Sequence, residues 1–382
     1  MQNLVESIKK LQNYIESNNY QGYDPYDFLK SPLFAYSFFR QNKKLRFYFQ
    51  QFGKRFPINL RPLLNVPKGY NPVTLGLCIQ AYTNLFEYDR SNSQFYNDKI
   101  NFLIDELEKL IPSGFSGACW GYDFYWQARN ADIPAYQPTI VATGIITNAL
   151  FEYYKTSGNS KAKALFLSSA DFVIKDLNRT VSENGLCFSY SPFDNQIVFN
   201  ANMKAVRLLA QIYSLSSSEQ YKTLANDAVK FVMKFQRDDG AWVYSNKLNT
   251  RIDNYHTGYV LSCLKTFMAL TENNDYEDQI KIGFDFYKSN FIDSDNAPKF
   301  FHNYKYPIDC TAASQLIITL LDFDEKELAQ KVANYMVENM FDEEGYFYFR
   351  QFKNYLIKTP YMRWSQAWMF AALSYLLRSK NS

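Results

Sequence analysis

The sequence predicts an all-α protein: an (α/α)6 toroid, a six-hairpin barrel with short aromatic hairpins at one face. Three observations predict it. Apolar helical segments recur six times, beginning near Pro72, Pro138, Asn200, His256, Asp309 and Tyr361, at spacings of 66, 62, 56, 53 and 52 residues. Each of the first five is followed by a more charged, amphipathic segment, the pattern of an outer helix covering an inner one. After each of those comes a turn and a short run of aromatic residues, as in Asp238-Asp239-Gly240-Ala241-Trp242-Val243-Tyr244. Long repeats of paired helices indicate a ring or an open solenoid, and six units favour the closed ring.

The elements follow in order. Residues 1–18 read as one amphipathic helix. Residues 19–66 read as irregular and aromatic, with a possible basic helix within 39–56 whose Lys and Arg form a solvated face. The first helices are rich in Ala, Gly, Ser and Thr beside large apolar residues, which suits packing on several sides. The second helices are expected within 98–110, 161–177, 219–235, 276–291 and 325–340. The aromatic runs at 116–126, 183–193, 238–246, 297–306 and 342–350 alternate like small strands or hairpins. Residues 1–382 are read as a single domain, in which 1–66 closes the ring and the N-terminal helix is its twelfth.

Composition narrows the function. Apolar residues make up 47% of 382, enough for a sizeable core, and a net charge of +3 with no Lys/Arg block argues against nucleic acid. The longest apolar run, Ala367 to Leu377, is too short and too broken to span a bilayer. The N-terminus lacks the apolar stretch of a secretory signal, and five scattered cysteines without a CxxC pair suggest reduced thiols and a cytoplasmic location. The 31 Tyr, 33 Phe and 5 Trp are explained by compositional bias and an ordinary core, or by stacking surface for sugar rings. No P-loop or GxGxxG supports nucleotide binding, and no cofactor is expected.

In a ring of this kind the loops before the first helices share one end, where helix N-termini present free N–H groups. Those loops hold the candidate chemistry. Asp123, Asp253, Asp309 and His256 are the candidate proton-transfer residues. Arg129 and Arg363 are candidates to hold an anionic group, and Trp126, Tyr190, Trp242, Tyr255, Tyr361 and Trp364 to line a cleft. Carboxylates, a His, Arg and ring faces in one cleft are what sugar chemistry requires. Each has a plainer explanation. Asp194, Asn200 and Asp309 suit helix capping, Arg129 suits pairing with Asp123, and a buried His is often structural. A zinc site would need His256 with Cys263 and Asp309-Cys310, a set without ligand spacing, so no metal is expected.

Gln236-Arg-Asp-Asp-Gly240-Ala-Trp242 resembles the QW motif of triterpene cyclases, a structural brace there; their acidic DxDD run is missing here. The segments WGYDFYWQAR, FSYSPFDNQIVFNANMKAVRLLAQIY, DNYHTGYVLSCL and YMRWSQAWMFAALSYLL together resemble a family of bacterial proteins found with surface-polysaccharide biosynthesis genes. Its members often carry the label delta-aminolevulinic acid dehydratase. That name denotes a β/α barrel, and this chain shows no βαβα alternation. More distantly the architecture is similar to the six-hairpin glycosidase and epimerase toroids. These include unsaturated glucuronyl hydrolases, N-acylglucosamine 2-epimerases and the helical domain of glucuronyl C5-epimerases. The last begin a helix with Tyr-His-Thr, as Tyr255-His256-Thr257 does here. The resemblance implies a carbohydrate-active enzyme of epimerase or hydrolase/lyase type acting on an anionic saccharide. The alternatives are a non-catalytic glycan-binding scaffold using the same cleft, or a prenyl-type enzyme with an apolar cavity.

Overall fold

The computed structural model describes residues 2–127, 132–247 and 251–381. Six helices form an inner ring: α4 (Pro72–Tyr88), α6 (Ile140–Ser157), α8 (Phe199–Ser216), α10 (Asn254–Thr271), α12 (Cys310–Asp322) and α14 (Trp368–Arg378). A turn of wider π-type winding, Met362–Ala367, leads into the last. Each inner helix packs on the next, and α14 packs back on α4, so the ring closes. The outer layer is α5 (Ser93–Lys109), α7 (Ser160–Asp171), α9 (Glu219–Met233), α11 (Glu277–Asn290) and α13 (Lys326–Met340), with α1 (Gln2–Ser17) against α13 and α14. This is the all-α toroid the repeat predicts.

The inner helices are buried on nearly every face; α4 is buried from Pro72 to Cys78 and again through most of its next two turns. Small residues permit the close packing. A Cβ at Gly76 would stand 2.8 Å from Ile146 of the neighbouring helix, and one at Gly144 would stand 2.8 Å from Lys204 Cβ. Four inner helices begin on a side-chain cap. Asn71, Thr139, Asp253 and Asp309 accept from the N–H of Val73, Ala142, His256 and Ala312. These caps lie at the same end of the ring because the inner helices run parallel, each returned by its outer partner.

The aromatic runs form only short pairings there. β1 (Trp126–Gln127) pairs with β2 (Asp132–Ile133), and β3 (Arg179–Ser182) with β4 (Gly185–Phe188). β5 (Ile308–Asp309), β6 (Arg350–Gln351) and β7 (Leu356–Ile357) make a three-stranded sheet. The QW-like segment acts as a brace. Gln236 Nε2 donates to Gly240 O at 3.0 Å and to Gln279 O at 2.8 Å, and the Trp242 ring covers Gly283 of α11.

The N-terminal segment holds more structure than its sequence suggests. Between α1 and α4 lie a short α2 (Ser37–Gln41) and α3 (Lys43–Arg55). The basic residues of α3 are not a uniformly solvated face. Arg46 reaches Gln127 Oε1 at 2.9 Å, and Lys54 Nζ lies 4.2 Å from the centre of the Tyr26 ring. Nearby, the fully buried Arg61 donates to Asp27 Oδ1 (2.5 Å), Asp24 O (2.8 Å) and Tyr361 Oη (2.7 Å). Breaking such a pair by removing one partner costs roughly 3–5 kcal/mol.

Candidate functional site

A cavity of about 120 Å³ lies on the ring axis at the end where the inner helices begin. Aromatic side chains build most of its wall: Tyr26, Tyr122, Phe124, Trp126, Tyr190, Tyr244, Tyr255, Tyr259, Trp364 and Trp368. Several hold each other in place. Tyr122 and Phe124 stack at 5.4 Å, Trp126 meets Tyr190 at 5.7 Å, and Tyr255 meets Trp364 edge-on at 5.8 Å. Burial pushes the hydroxyl pKa of Tyr190, Tyr255 and Tyr259 well up, and that of Tyr26 to about 12, so these rings stay neutral donors.

Four polar groups break this apolar wall. His256 stands in the first turn of α10, between Tyr244 (ring centres 4.6 Å apart) and Tyr255 (4.0 Å). Its Nδ1 is 2.7 Å from Asp253 Oδ2, while Asp253 Oδ1 accepts from the His256 backbone N–H at 3.1 Å. One carboxylate thus caps the helix and orients the ring. With Nδ1 facing Asp253, Nε2 is turned from the carboxylate and has no protein partner among the described residues. Arg363 is the second group. Its Nε and Nη2 hold Asp24 at 2.6 and 2.9 Å, and its guanidinium lies 4.9 Å from the Tyr122 ring centre. Burial opposes its charge, but Asp24 outweighs that and raises its pKa. The third is Asn200, whose Oδ1 is buried without a hydrogen-bond partner among the described residues. The fourth, Thr311, donates its hydroxyl to Trp364 O. No Asp or Glu lines the cavity among the described residues.

The structure therefore divides the candidate residues. It brings His256, Arg363, Trp126, Tyr190, Tyr255 and Trp364 together on the cavity. Asp253 lies behind His256, in a small side pocket shared with Trp242. Trp242 is otherwise buried beneath the brace, its Nε1 without a partner among the described residues. Asp123 is turned away from the cavity, contrary to its expected proton-transfer position. Its carboxylate accepts from Asn71 Nδ2 at 2.6 Å and pairs with Lys30 Nζ at 2.9 Å. Asp309 is also displaced from the expected role. It caps α12, pairs with Arg350 and accepts from Trp364 Nε1 at 3.2 Å, all while fully buried. Tyr361 lies beneath the cavity on Arg61 rather than on its wall. Arg129 lies outside the described residues.

Sequence reasoning missed Tyr26, Asp24, Phe124, Tyr244, Tyr259 and Trp368. Tyr244 and Tyr259 were within reach, being in the run and on the helix that carry His256. No local pattern marks Tyr26 or Asp24, whose partners in the cavity wall, Trp364 and Arg363, are hundreds of positions away. Among the described residues no group of three His, Cys, Asp or Glu side chains is placed to hold a metal ion. No helix among the described residues is long and apolar enough to cross a membrane.

No family model matches the sequence, and no curated protein matches it. Solved structures share the fold. The cellobiose 2-epimerase of Bacillus thermoamylovorans superposes with a TM-score of 0.61 at 14% identity, over 83% of this chain and 90% of that one. A GH76 alpha-mannanase of Bacteroides thetaiotaomicron gives 0.60 at 13%, over 81% and 86%. A possible GH105 family member from Salmonella enterica serovar Paratyphi A gives 0.59 at 14%, over 83% and 87%. These are six-hairpin proteins, and at such identities the likeness is one of fold. The dehydratase label gains no support, because a ring of paired helices is not a β/α barrel.

Proposed function

We propose that this chain is a carbohydrate-active enzyme that moves a proton on a sugar, an epimerase or lyase, with His256 as the base. The observation that carries this reading is the cavity's ionisable lining. It holds one histidine oriented by a carboxylate, and one arginine, but no pair of facing carboxylates. Glycoside hydrolysis ordinarily needs two carboxyl groups flanking the bond, about 5–9.5 Å apart. Proton abstraction next to a carbonyl or carboxylate needs a positioned base and a cation for the charge that develops.

In this mechanism a sugar stacks on the ring faces and its carbonyl or carboxylate lies against Arg363, whose Nη1 is not used by Asp24. His256 Nε2 takes the adjacent C–H proton, and Asp253 stabilises the imidazolium that forms. Return of a proton to the opposite face, from a tyrosine hydroxyl or water, gives the epimer. Loss of a substituent from the next carbon gives an unsaturated product. The unpaired Asn200 Oδ1 suits a sugar hydroxyl, since a buried acceptor left without a donor costs about 1–3 kcal/mol. That acceptor, with Arg363, also argues against a prenyl ligand. The likeness of fold to an epimerase supports the reading. The resemblance of the sequence segments supports a role in bacterial surface-polysaccharide synthesis or turnover. Five buried free thiols support a cytoplasmic site of action.

The test is solvent exchange. Incubating saccharides with the protein in deuterium oxide and following the C–H signals by NMR should show loss of one ring proton, abolished by His256→Ala. New reducing ends without exchange would replace this reading with hydrolysis. Binding without either would leave a glycan-binding scaffold.

A further inference from the structure

Beside the cavity, sharing Tyr26 as a wall, opens a groove of about 750 Å³. Besides Tyr26, four pieces of chain form it: the C-terminal turn of α3, Arg251 and Ile252 before α10, the loop 300–307 before β5, and β6 with the β6–β7 connection. Lys54, Arg55, Arg251 and Arg350 line it together with His302, and no Asp or Glu does so among the described residues. The protein as a whole is nearly balanced, with 41 Lys and Arg against 38 Asp and Glu. Four basic side chains, Arg350 among them paired with Asp309, and no acidic one on the lining are a local excess of basic groups. Asp309, the partner of Arg350, lies behind Arg350 and Trp364.

The seam between groove and cavity is basic as well. Lys54 Nζ lies 4.2 Å from the Tyr26 ring centre and 5.3 Å from that of Trp364, both of which line the cavity. Burial, and then the adjacent Arg350, pushes the Lys54 amine pKa well down. A bound anion would relieve that crowding. The groove also offers ring faces: Phe352 and Tyr355 stack at 4.5 Å, and Tyr304 and Tyr355 are 62% and 46% exposed.

We infer that this groove binds the part of the substrate beyond the reacting sugar, and that this part carries anionic groups, carboxylate or phosphate. The inference rests on the saccharide reading of the cavity and adds to it a length and a charge. Rings of the extension stack on Tyr304 and Tyr355 while its anions meet Arg55, Arg251 and, at the seam, Lys54 and Arg350. Guanidinium groups suit both anion types because their paired N–H donors match two oxygens at once.

The experiment compares tetragalacturonate, UDP-glucose and cellotetraose as calorimetric probes of the full chain and of an Arg55→Glu/Arg251→Glu variant. Both positions are exposed, so the charge reversal leaves the core intact; a melting curve checks this. At least one anionic probe is expected to bind more tightly than cellotetraose, and to lose about tenfold or more in affinity in the variant and in added salt. Which one does so tells carboxylate from phosphate. Equal binding of cellotetraose and both anionic probes, unchanged in the variant, overturns the groove while leaving the sugar cavity standing. Binding of none of the three overturns both.

Discussion

The two ends of the ring axis are built by the same six helices and have opposite characters. At the end where the helices begin, the cavity is walled by aromatic rings, with His256 and Arg363 set among them. Toward the other end lies a second cavity, of about 180 Å³, that shares Ile145 and Trp368 with the first and is lined by Glu152, Lys204, Arg207, Asp322 and Arg378. Both ends bury cations, but on different terms. Arg363 is held by both oxygens of Asp24. Lys204, only 3% exposed, has no hydrogen-bond or carboxylate partner among the described residues and rests 3.9 Å from the Tyr259 ring centre. Burial, then the neighbouring Arg207, pushes its pKa down to about 7. Burial also raises the carboxyl pKa of Glu152 and Asp322. The first end keeps its charge fixed and oriented; the second holds charges that burial works against.

If the first end is the reactive one, substitutions should separate the two. His256→Ala is expected to lower turnover by about 10³-fold, the scale of general acid–base catalysis, with little change in melting temperature. A fall in activity that only tracks a fall in stability would erase the distinction. Asp24→Asn leaves the Arg363 charge buried without its counter-ion and is expected to cost about 3 kcal/mol in denaturant unfolding. Asp253→Asn keeps a helix cap but loses the carboxylate that fixes the His256 tautomer. Turnover should drop by about 10²-fold while stability changes by less than about 1 kcal/mol.

The smallest effect is expected at the far end. Lys204→Met should leave turnover within a few-fold and stabilise the fold by about 1–2 kcal/mol at pH 7. The sign with pH follows from the lowered pKa. Between about 7 and 10.5 the unfolded chain binds a proton that the folded one does not, so wild-type stability rises with pH across that window. The gain from Lys204→Met should be greatest below pH 7 and shrink toward pH 10.5. Unfolding curves at pH 6, 8 and 10 check it, and a constant gain would show that Lys204 stays charged in the folded chain across that range, its pKa not lowered. Equal loss of turnover in Lys204→Met and His256→Ala would place both ends in one reaction.

The fold was legible because its signal is repeated. Apolar stretches that begin near Pro72, Pro138 and Asn200 match helices starting at Pro72, Ile140 and Phe199. The site was legible only in part. His256 and Tyr255 were recognisable on the first turn of an inner helix, and Arg363 and Trp364 at the start of the last. Asp123 misled because its neighbours are aromatic. In Tyr122-Asp123-Phe124 the two rings stack on each other, and the side chain between them points elsewhere. Tyr122 and Phe124 face the cavity, and Asp123 faces Lys30 and Asn71. Tyr26 and Lys54 were out of reach because their meaning depends on Trp364 and Arg350, contacts that no local periodicity encodes.

The pairing of Asp24 with Arg363 joins positions 339 residues apart. Arg61 and Tyr361 repeat the connection across 300. During synthesis at about 5–20 residues per second, the residues around Asp24 are made long before their partners exist. A nascent chain can stack five helical pairs and still have no Arg363, no Trp364 and no counter-ion for Asp24. The cavity is therefore completed only once the residues around Arg363 and Trp364 have been made, and fragments ending before the final helix would be folded in part but lack that wall.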